Sequence, residues 1–286
     1  MTKFLSAATV TAIGLTCKSV LNLGLCSMAV RGLPTLMDAL QSTERERGRG
    51  VVTVCNHISV LDDPLTWGIM PARSYWNTRT TRWSLGASDI MFTNPILSCF
   101  FRRGQVLETF RGKGICQPAV DAAIAKLSKG DWIHLFGEGK IRQPSTYEHK
   151  SGIAKLLRFK WGIGRILIET PRPPIIIPMW ITGFDKLMPE GRRFPFNFLP
   201  RFGAKLSVTF GEPIPPEHIL AALRRKTGLP RDLPHKSDSW IAQPDSPTEL
   251  DEYTSRDIRI EVTSVVQQAV EKLGREVSGD MLGQTP

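Results

Sequence analysis

The chain has 286 residues, 41% of them hydrophobic and 22% charged, which excludes wholesale disorder and suffices for one large α/β domain or two small ones. Its net charge of +10 indicates anionic partners: nucleic acid, anionic lipid or a phosphorylated small molecule. The five cysteines are odd in number and none forms a C-x-x-C pair, so neither a disulfide framework nor a structural zinc site is expected.

An apolar stretch opens the chain at residues 4–30, interrupted by Lys18 and Asn22. The uncharged block before Lys18 is short of the roughly 20 residues that cross a bilayer. A cleaved signal peptide, a spanning helix and a core helix stay open, but we favour a segment lying in one leaflet, from which Lys18 can extend to the headgroups. The predicted membrane residues are Phe4, Leu5, Leu15, Lys18, Leu21, Leu23 and Leu25.

The rest of the chain alternates strand and helix patterns. Strands are predicted over 51–55, 131–140, 173–183 and 204–214, and helices over 117–130, 153–170 and 255–274. The helix at 153–170 is strongly cationic, and Gly274 is expected to end the last one. Such alternation predicts an α/β sheet.

Three regions follow from this organisation. Residues 1–44 form the apolar interfacial membrane segment, with the polar stretch 42–50 as its boundary. Residues 45–227 form the main domain. Residues 228–286 are a loop rich in Pro, Ser and Asp, then an amphipathic helix and a tail, predicted to pack on the same domain.

The strand at 51–55 ends beside His57, and Asp62 and Asp63 follow. On one helix, five residues would place His57 and Asp62 about 140° apart, so they meet only if the chain turns between them. Asp63 is predicted to cap the helix that Pro64 begins. A carboxylate on one imidazole nitrogen leaves the other free to act as a general base. Spacing alone slightly favours the alternative that both aspartates only cap the helix.

Other chemistry is weakly supported by the sequence. There is no G-x-S-x-G elbow, and the remaining histidines are scattered without H-x-x-x-H spacing. Cys55 lies two residues before His57, at the end of the predicted strand, and is a conceivable nucleophile. A cysteine in such an apolar run is more often a buried hydrophobic residue. We therefore expect no metal and no cofactor.

Residues 138–205 combine 13 Lys/Arg with 5 Asp/Glu. Aromatic residues lie among these cations, as they do at membrane interfaces and on surfaces that bind single-stranded nucleic acid. Since no nucleic-acid motif is visible, a membrane interface is favoured over nucleic acid, and a merely solvated basic face stays open. The aromatic residues are Phe159, Trp161, Trp180, Phe184, Phe194, Phe196, Phe198 and Phe202.

NHISVLDDP, residues 56–64, resembles the N-H-x-x-x-x-D signature of the glycerolipid acyltransferases. Three further blocks of that family match in order: GQVLETFRGKG at 104–114, FGEGK at 136–140 and PIIIPMW at 174–180. One departure is Gly137, where the family usually has proline. The likeness covers roughly residues 45–215.

The resemblance implies a mixed, largely parallel sheet flanked by helices, with His57 as general base and Asp62 as its orienting carboxylate. It implies that Arg111 binds the phosphate of the acyl acceptor. The expected substrate-binding residues are Arg111, Lys113, Glu138, Gly139, Lys155, Arg158, Lys160 and Pro178. Backbone amides near Gly137–Gly139 are candidate donors to an oxyanion.

Within the family, the likeness extends to phospholipid–lysophospholipid transacylases. It implies a coenzyme-A-independent enzyme that remodels cardiolipin from monolysocardiolipin, peripheral to mitochondrial membranes and facing the intermembrane space. The implied partners are cardiolipin, monolysocardiolipin, phosphatidylcholine and phosphatidylethanolamine classes and an anionic membrane surface, with a homo-oligomer left open. An acyl-CoA-dependent lysophospholipid acyltransferase of the lysophosphatidic acid type and a non-catalytic membrane scaffold are the alternatives.

Overall fold

The computed structural model describes residues 2–227 and 252–283. Its centre is a seven-stranded sheet with the strand order β1-β9-β8-β2-β5-β3-β4, beside a small antiparallel hairpin of β6 and β7. The strands are β1 (Ser27–Arg31), β2 (Val51–Cys55), β3 (Trp83–Ala87), β4 (Val106–Thr109), β5 (Trp132–Phe136), β6 (Glu148–Lys150), β7 (Ile153–Lys155), β8 (Ile175–Thr182) and β9 (Lys205–Phe210). The predicted mixed, largely parallel sheet flanked by helices is confirmed.

Helices cover the sheet and continue beyond its edge. They are α1 (Thr2–Asn22), α2 (Leu33–Gln41), α3 (Asp62–Thr66), α4 (Ser88–Met91), α5 (Pro95–Arg103), α6 (Pro118–Leu127), α7 (Gly162–Glu169), α8 (Phe184–Leu187), α9 (Pro216–Thr227) and α10 (Glu252–Ser278). The long helix α10 packs against α7, α9 and β8. Its crossing with α7 is close, because a Cβ at Gly164 would lie 2.3 Å from the Arg259 carbonyl oxygen.

The parallel strands of the sheet place the loops that follow them at one edge. β2 pairs in parallel with β5 and β8, and β3 pairs in parallel with β5 and β4. The five strands therefore end at a common carboxyl edge, where α/β proteins place their sites. Only β8 and β9 pair antiparallel within this sheet. All five residues of β2 are buried, as expected for a β-branched strand covered on both faces.

The amino-terminal region differs from its prediction in two respects. Lys18 lies within α1, and its ammonium donates to the Met70 carbonyl, 3.1 Å away, on the domain side rather than extending away from the domain as expected. Residues 27–31, assigned by sequence to the membrane segment, form the edge strand β1 and pair with β9. A lysine ammonium can donate a hydrogen bond to a backbone carbonyl that is distant in sequence, and the spacing of residues in the sequence does not reveal such a contact.

Helix α1 is 21 residues long and packs lengthwise on α3, α5 and the turns between residues 67 and 76. Phe4–Asn22 is long and apolar enough to cross a membrane by length and composition. The predicted membrane residues on and just after α1 divide by burial: Phe4, Leu15 and Leu23 are exposed, whereas Leu5, Lys18, Leu21 and Leu25 are half-buried. Exposed apolar side chains thus follow one side of a helix whose other side is anchored.

Two predicted helix boundaries are wrong. Residues 153–161 do not open a cationic helix: they form β7 and a connecting segment, and only residues 162–169 are helical. The last helix does not stop at Gly274 but runs to Ser278. A Cβ at position 274 would lie 2.7 Å from the Trp180 ring, which accounts for the glycine. Gly274 is thus set by close packing rather than by a helix end. The predicted loop at 228–254 lies mostly outside the described residues.

Candidate active site

His57 and Asp62 meet at the carboxyl end of β2. The chain turns after Cys55, and the His57 Nδ1 donates to Asp62 Oδ2 at 2.8 Å. The same oxygen accepts the backbone amides of Ile58 and Ser59 at 2.6 and 2.8 Å. Asp62 is fully buried, so its carboxylate is a fixed acceptor that keeps the proton of His57 on Nδ1 and leaves Nε2 as the basic nitrogen.

Burial and hydrogen bonding act against each other on Asp62. Desolvation raises the pKa of this carboxyl above its usual value, while the bonds from His57, Ser59 and Ile58 lower it. The imidazole is held from its other side as well, because it stacks on Phe136 with ring centroids 4.0 Å apart. The predicted contact of His57 with Asp62 is confirmed, and its catalytic role stays a prediction.

Asn56 fixes the start of the loop that follows β2 and carries His57. Its side-chain amide donates to the Ile181 carbonyl, and its side-chain oxygen accepts the Ile181 amide, both at 3.0 Å. The Asn56 side chain thereby makes the pair of hydrogen bonds to β8 that a backbone residue would make if β2 continued. The first residue of the N-H-x-x-x-x-D signature therefore fixes the position from which His57 projects.

Asp63 is not the predicted helix cap. Helix α3 begins at Asp62, its N-cap position is Leu61, and no side chain caps it. Instead, Asp63 accepts both the Arg82 guanidinium and the Trp67 indole, with Arg82 Nε 3.0 Å from Asp63 Oδ1. The Arg82 charge holds the pKa of this carboxyl below its usual value against the effect of burial. The two adjacent aspartates therefore serve different partners.

The FGEGK block forms the turn beside His57. Gly139 has a φ of 67°, and its amide donates to the Phe136 carbonyl, while the Gly137 amide donates to the Cys55 carbonyl. Because both amides are already engaged, the oxyanion role considered for Gly137 and Gly139 is not supported by this geometry. A Cβ at Gly137 would lie 2.3 Å from the Phe159 ring, so close packing accounts for glycine here.

Glu138 is a buried carboxylate in that turn. Its Oε2 accepts the Leu157 amide at 3.2 Å, and its Oε1 is buried without a hydrogen-bond partner. Desolvation raises the pKa of Glu138 to about 7, partly offset by hydrogen bonds from the Leu157 and His57 backbones. A buried carboxyl oxygen without a hydrogen-bond partner is uncommon in folded proteins, so Glu138 stays a candidate functional residue.

This raised pKa predicts a pH-dependent stability. The folded protein binds the Glu138 proton more tightly than the unfolded chain, so wild-type stability should fall as pH rises from 4.5 to about 7. Glu138→Gln should lack that contribution and gain, relative to wild type, roughly 3 kcal/mol at most above pH 7. Chemical denaturation of both proteins across this range measures the difference, and parallel curves would contradict the prediction.

Arg111 and Lys113 lie after β4, three strands away from β2 along the carboxyl edge. At the usual strand spacing this is about 14 Å. Arg111 is exposed and pairs with Asp89 at 3.1 Å, on the segment that follows β3. Both side chains are free of the core, so they border the edge on which His57 lies without contacting it in this structure.

The remaining predicted binding residues occupy different places. Lys160 lies at the site turn: its amide donates to the Gly137 carbonyl at 2.9 Å, and its aliphatic chain borders Gly139. Lys155 is exposed on β7, and Arg158 lies over the Trp161 ring. Pro178 is buried inside β8 opposite Val54, so it builds the sheet rather than its edge.

Sequence reasoning missed Arg142, which follows the FGEGK block. Its amide donates to the His57 carbonyl at 2.7 Å, and its guanidinium donates to the Thr146 carbonyl. The only sequence signal for a role of Arg142 was its position in the basic region 138–205. The stacking of Phe136 on His57 was also missed, because a strand-end phenylalanine looks like any core residue in sequence.

Comparisons with known proteins identify the family of this chain. The Acyltransferase family model matches residues 38–182. A tafazzin from Dictyostelium discoideum is 34% identical over 77% of this chain and 73% of its own length. An N-acylphosphatidylethanolamine synthase from Arabidopsis thaliana is 35% identical over 90% of this chain and 87% of its own.

The crystal structure of PlsC, the 1-acyl-sn-glycerophosphate acyltransferase of Thermotoga maritima, matches 92% of this chain and 79% of that chain. Its TM-score is 0.51 and its identity 19%, so it supports the fold alone. The matched family region contains the His57–Asp62 pair and the Glu138 turn. The chain therefore belongs to the glycerolipid acyltransferase family, with the tafazzins among its relatives, and it is an acyltransferase.

Proposed function

We propose that this protein is a phospholipid–lysophospholipid transacylase that needs no coenzyme A. The observation that carries the proposal is the His57 Nδ1–Asp62 Oδ2 bond of 2.8 Å at the carboxyl edge of the sheet. It holds a general base, and the described residues of the site add no protein nucleophile to it, which suits direct transfer of the acyl chain from a donor to the acceptor hydroxyl. The tafazzin relatives support a phospholipid as acyl donor.

The chemistry follows from the geometry of His57. Its Nε2 removes the proton from the free hydroxyl of a lysophospholipid, and that oxygen attacks the ester carbonyl of a donor phospholipid. The tetrahedral intermediate collapses with cleavage of the donor's ester bond, and the imidazolium returns its proton to the departing alkoxide. Asp62 stabilises the imidazolium while it carries the proton. A new phospholipid and a new lysophospholipid result, and reversal uses the same groups.

Cationic side chains around the edge suit the phosphates of both lipids. Arg111 and Lys113 lie on one side, and Lys160 borders the Glu138 turn. Glu138, with its unpaired buried oxygen, is placed to accept a hydroxyl of the acceptor's glycerol. Lys155 and Arg158 add positive charge on the neighbouring hairpin and connecting segment.

Cardiolipin and monolysocardiolipin are the proposed substrates, exchanging with phosphatidylcholine and phosphatidylethanolamine classes. Support comes from the tafazzin likeness and from a net charge of +10, which complements a strongly anionic lipid. We place the protein on mitochondrial membranes, peripherally, facing the intermembrane space.

A donor assay tests this function. Purified protein is mixed with vesicles that hold monolysocardiolipin and a donor phospholipid, and the radiolabelled acyl chain is carried by the phospholipid in one arm and by added acyl-CoA in the other. We expect label in cardiolipin without acyl-CoA. Transfer that requires acyl-CoA would overturn the proposal in favour of a lysophosphatidic-acid-type enzyme, and no transfer from any donor would favour a scaffold.

The Arabidopsis relative raises a second acceptor, the amine of phosphatidylethanolamine, since its name is that of an N-acylphosphatidylethanolamine synthase. In the same assay, label in an alkali-stable amide would reveal N-acylation, whereas label in alkali-labile esters corresponds to transacylation.

A further inference from the structure

Two groups stand apart among the aromatic residues of the basic region, while Trp161 is half-buried and the Phe198 side chain lies outside the described part of the structure. Phe159, Trp180 and Phe184 are buried core residues. A second group lies in the loop between α8 and β9, hereafter the 192–202 loop. Its side chains expose between 53% and 80% of their surface: Phe194, Phe196, Leu199 and Phe202. Four large apolar side chains exposed within nine residues exceed what a solvated loop requires.

Charge surrounds this apolar group. Residues 186–205 hold five Lys/Arg and one acidic residue, Glu190. Arg193 and Arg201 are exposed within the loop. The loop also forms an open apolar cleft of about 360 Å³, lined by Arg192, Phe196, Leu199, Pro200, Arg201 and Phe202. Exposed aromatic side chains interleaved with arginines match an anionic bilayer surface, where rings enter the acyl boundary and guanidinium groups bind phosphates.

The loop is connected to the candidate active site by Gln143. The side-chain amide of Gln143 donates to the Ile58 carbonyl at 3.4 Å and to the Met188 carbonyl at 3.2 Å. Its side-chain oxygen accepts the Glu190 amide at 3.3 Å. One side chain thus joins the residue after His57 to the start of the segment that leads into the loop, and both lie at the carboxyl edge of the sheet.

We propose that the 192–202 loop inserts into the surface of an anionic bilayer and holds the His57 edge of the sheet against the headgroups. This inference rests on the proposed transacylase function and names the surface through which that site meets its substrates. The loop's rings supply apolar insertion, Arg193 and Arg201 select anionic lipid, and Gln143 transmits the orientation to the His57 loop.

Local insertion is measured with an environment-sensitive fluorophore. In the full chain, the exposed Cys99 and Cys116 are replaced by serine, and either Phe196→Cys or the control Ile153→Cys is labelled with NBD. Ile153 is 41% exposed, on the β6–β7 hairpin. With vesicles of phosphatidylcholine and cardiolipin we expect a blue shift and brightening at position 196 and not at 153. An unchanged signal at 196 on vesicle-bound protein would overturn the proposal.

Kinetics separate docking from folding. The combined Phe194→Ser, Phe196→Ser and Phe202→Ser variant should lose about tenfold or more of its exchange rate on anionic vesicles. Its rate on short-chain lipids dissolved as monomers should match wild type. If the variant lost activity equally on both substrates, the loop would act by positioning the active site. If its rate on vesicles equalled that of wild type, the loop would bind another partner, such as a second copy of the chain. Either result overturns the proposal.

The role of charge is tested with the double variant Arg193→Ser and Arg201→Ser. Its preference for binding cardiolipin-containing over phosphatidylcholine vesicles should be about tenfold lower than that of wild type. An unchanged preference would remove anionic lipid as the occupant. These outcomes are distinguishable from failure of the proposed function. If wild type transfers no acyl chain, the fluorescence at position 196 still reports docking; if it transfers chains without fluorescence change, only the docking proposal fails.

Discussion

Replacing His57 with alanine is expected to lower acyl exchange by a factor of about 10²–10⁴, the usual contribution of a positioned general base. The physical reason is that Nε2 is the basic nitrogen left free by the Asp62 bond, and the proposed mechanism assigns removal of the acceptor's proton to this atom. The measurement is the initial rate of label transfer between phospholipids on vesicles, with vesicle binding recorded in parallel. Binding should be unchanged, because the proposed membrane contacts are made by the 192–202 loop and not by His57.

The matched control is His149→Ala, which removes an exposed histidine from the β6–β7 hairpin. Its exchange rate should equal that of wild type. Thermal unfolding of both variants checks that His57→Ala has not simply lost the stacking contact with Phe136 and unfolded. A folded His57→Ala protein with wild-type exchange would end the general-base assignment.

Most of the fold follows from local patterns. The run VVTVC is apolar on both faces, which only a central strand of a covered sheet satisfies, and the 117–130 pattern gives α6 within two or three residues. The predicted cationic helix at 153–170 is helical only over residues 162–169, because residues 153–155 pair with β6 as the strand β7. Helical periodicity cannot show which backbone partner is available nearby.

The candidate site was predictable in its members but not in its division of labour. The His57–Asp62 contact needs a turn, and spacing shows that one is required. That Asp63 binds Arg82 depends on β3 lying beside α3, a long-range contact that no local pattern contains. Likewise, the aromatic residues of 138–205 look uniform in sequence, while burial separates the core rings from those of the 192–202 loop.

The adjacent aspartates should give opposite mutant phenotypes. Asp62→Asn keeps an oxygen for the Ile58 and Ser59 amides but removes the charge that stabilises the His57 imidazolium, so exchange should fall by a factor of about 10²–10⁴. The free energy of unfolding should change by less than about 1 kcal/mol, because burial already opposes the charged carboxylate. Initial rates and urea unfolding measure the two effects.

Asp63→Asn is the natural control, since it makes the same chemical change one residue later. It leaves the largely buried Arg82 guanidinium without its carboxylate, so the free energy of unfolding should fall by about 3–5 kcal/mol. At a temperature where that variant is still folded, its exchange rate should stay within a few-fold of wild type, because His57 keeps Asp62. If Asp63→Asn instead lost activity while folded and Asp62→Asn retained it, the orienting carboxylate would be Asp63, and the assignment drawn from the 2.8 Å bond would be reversed.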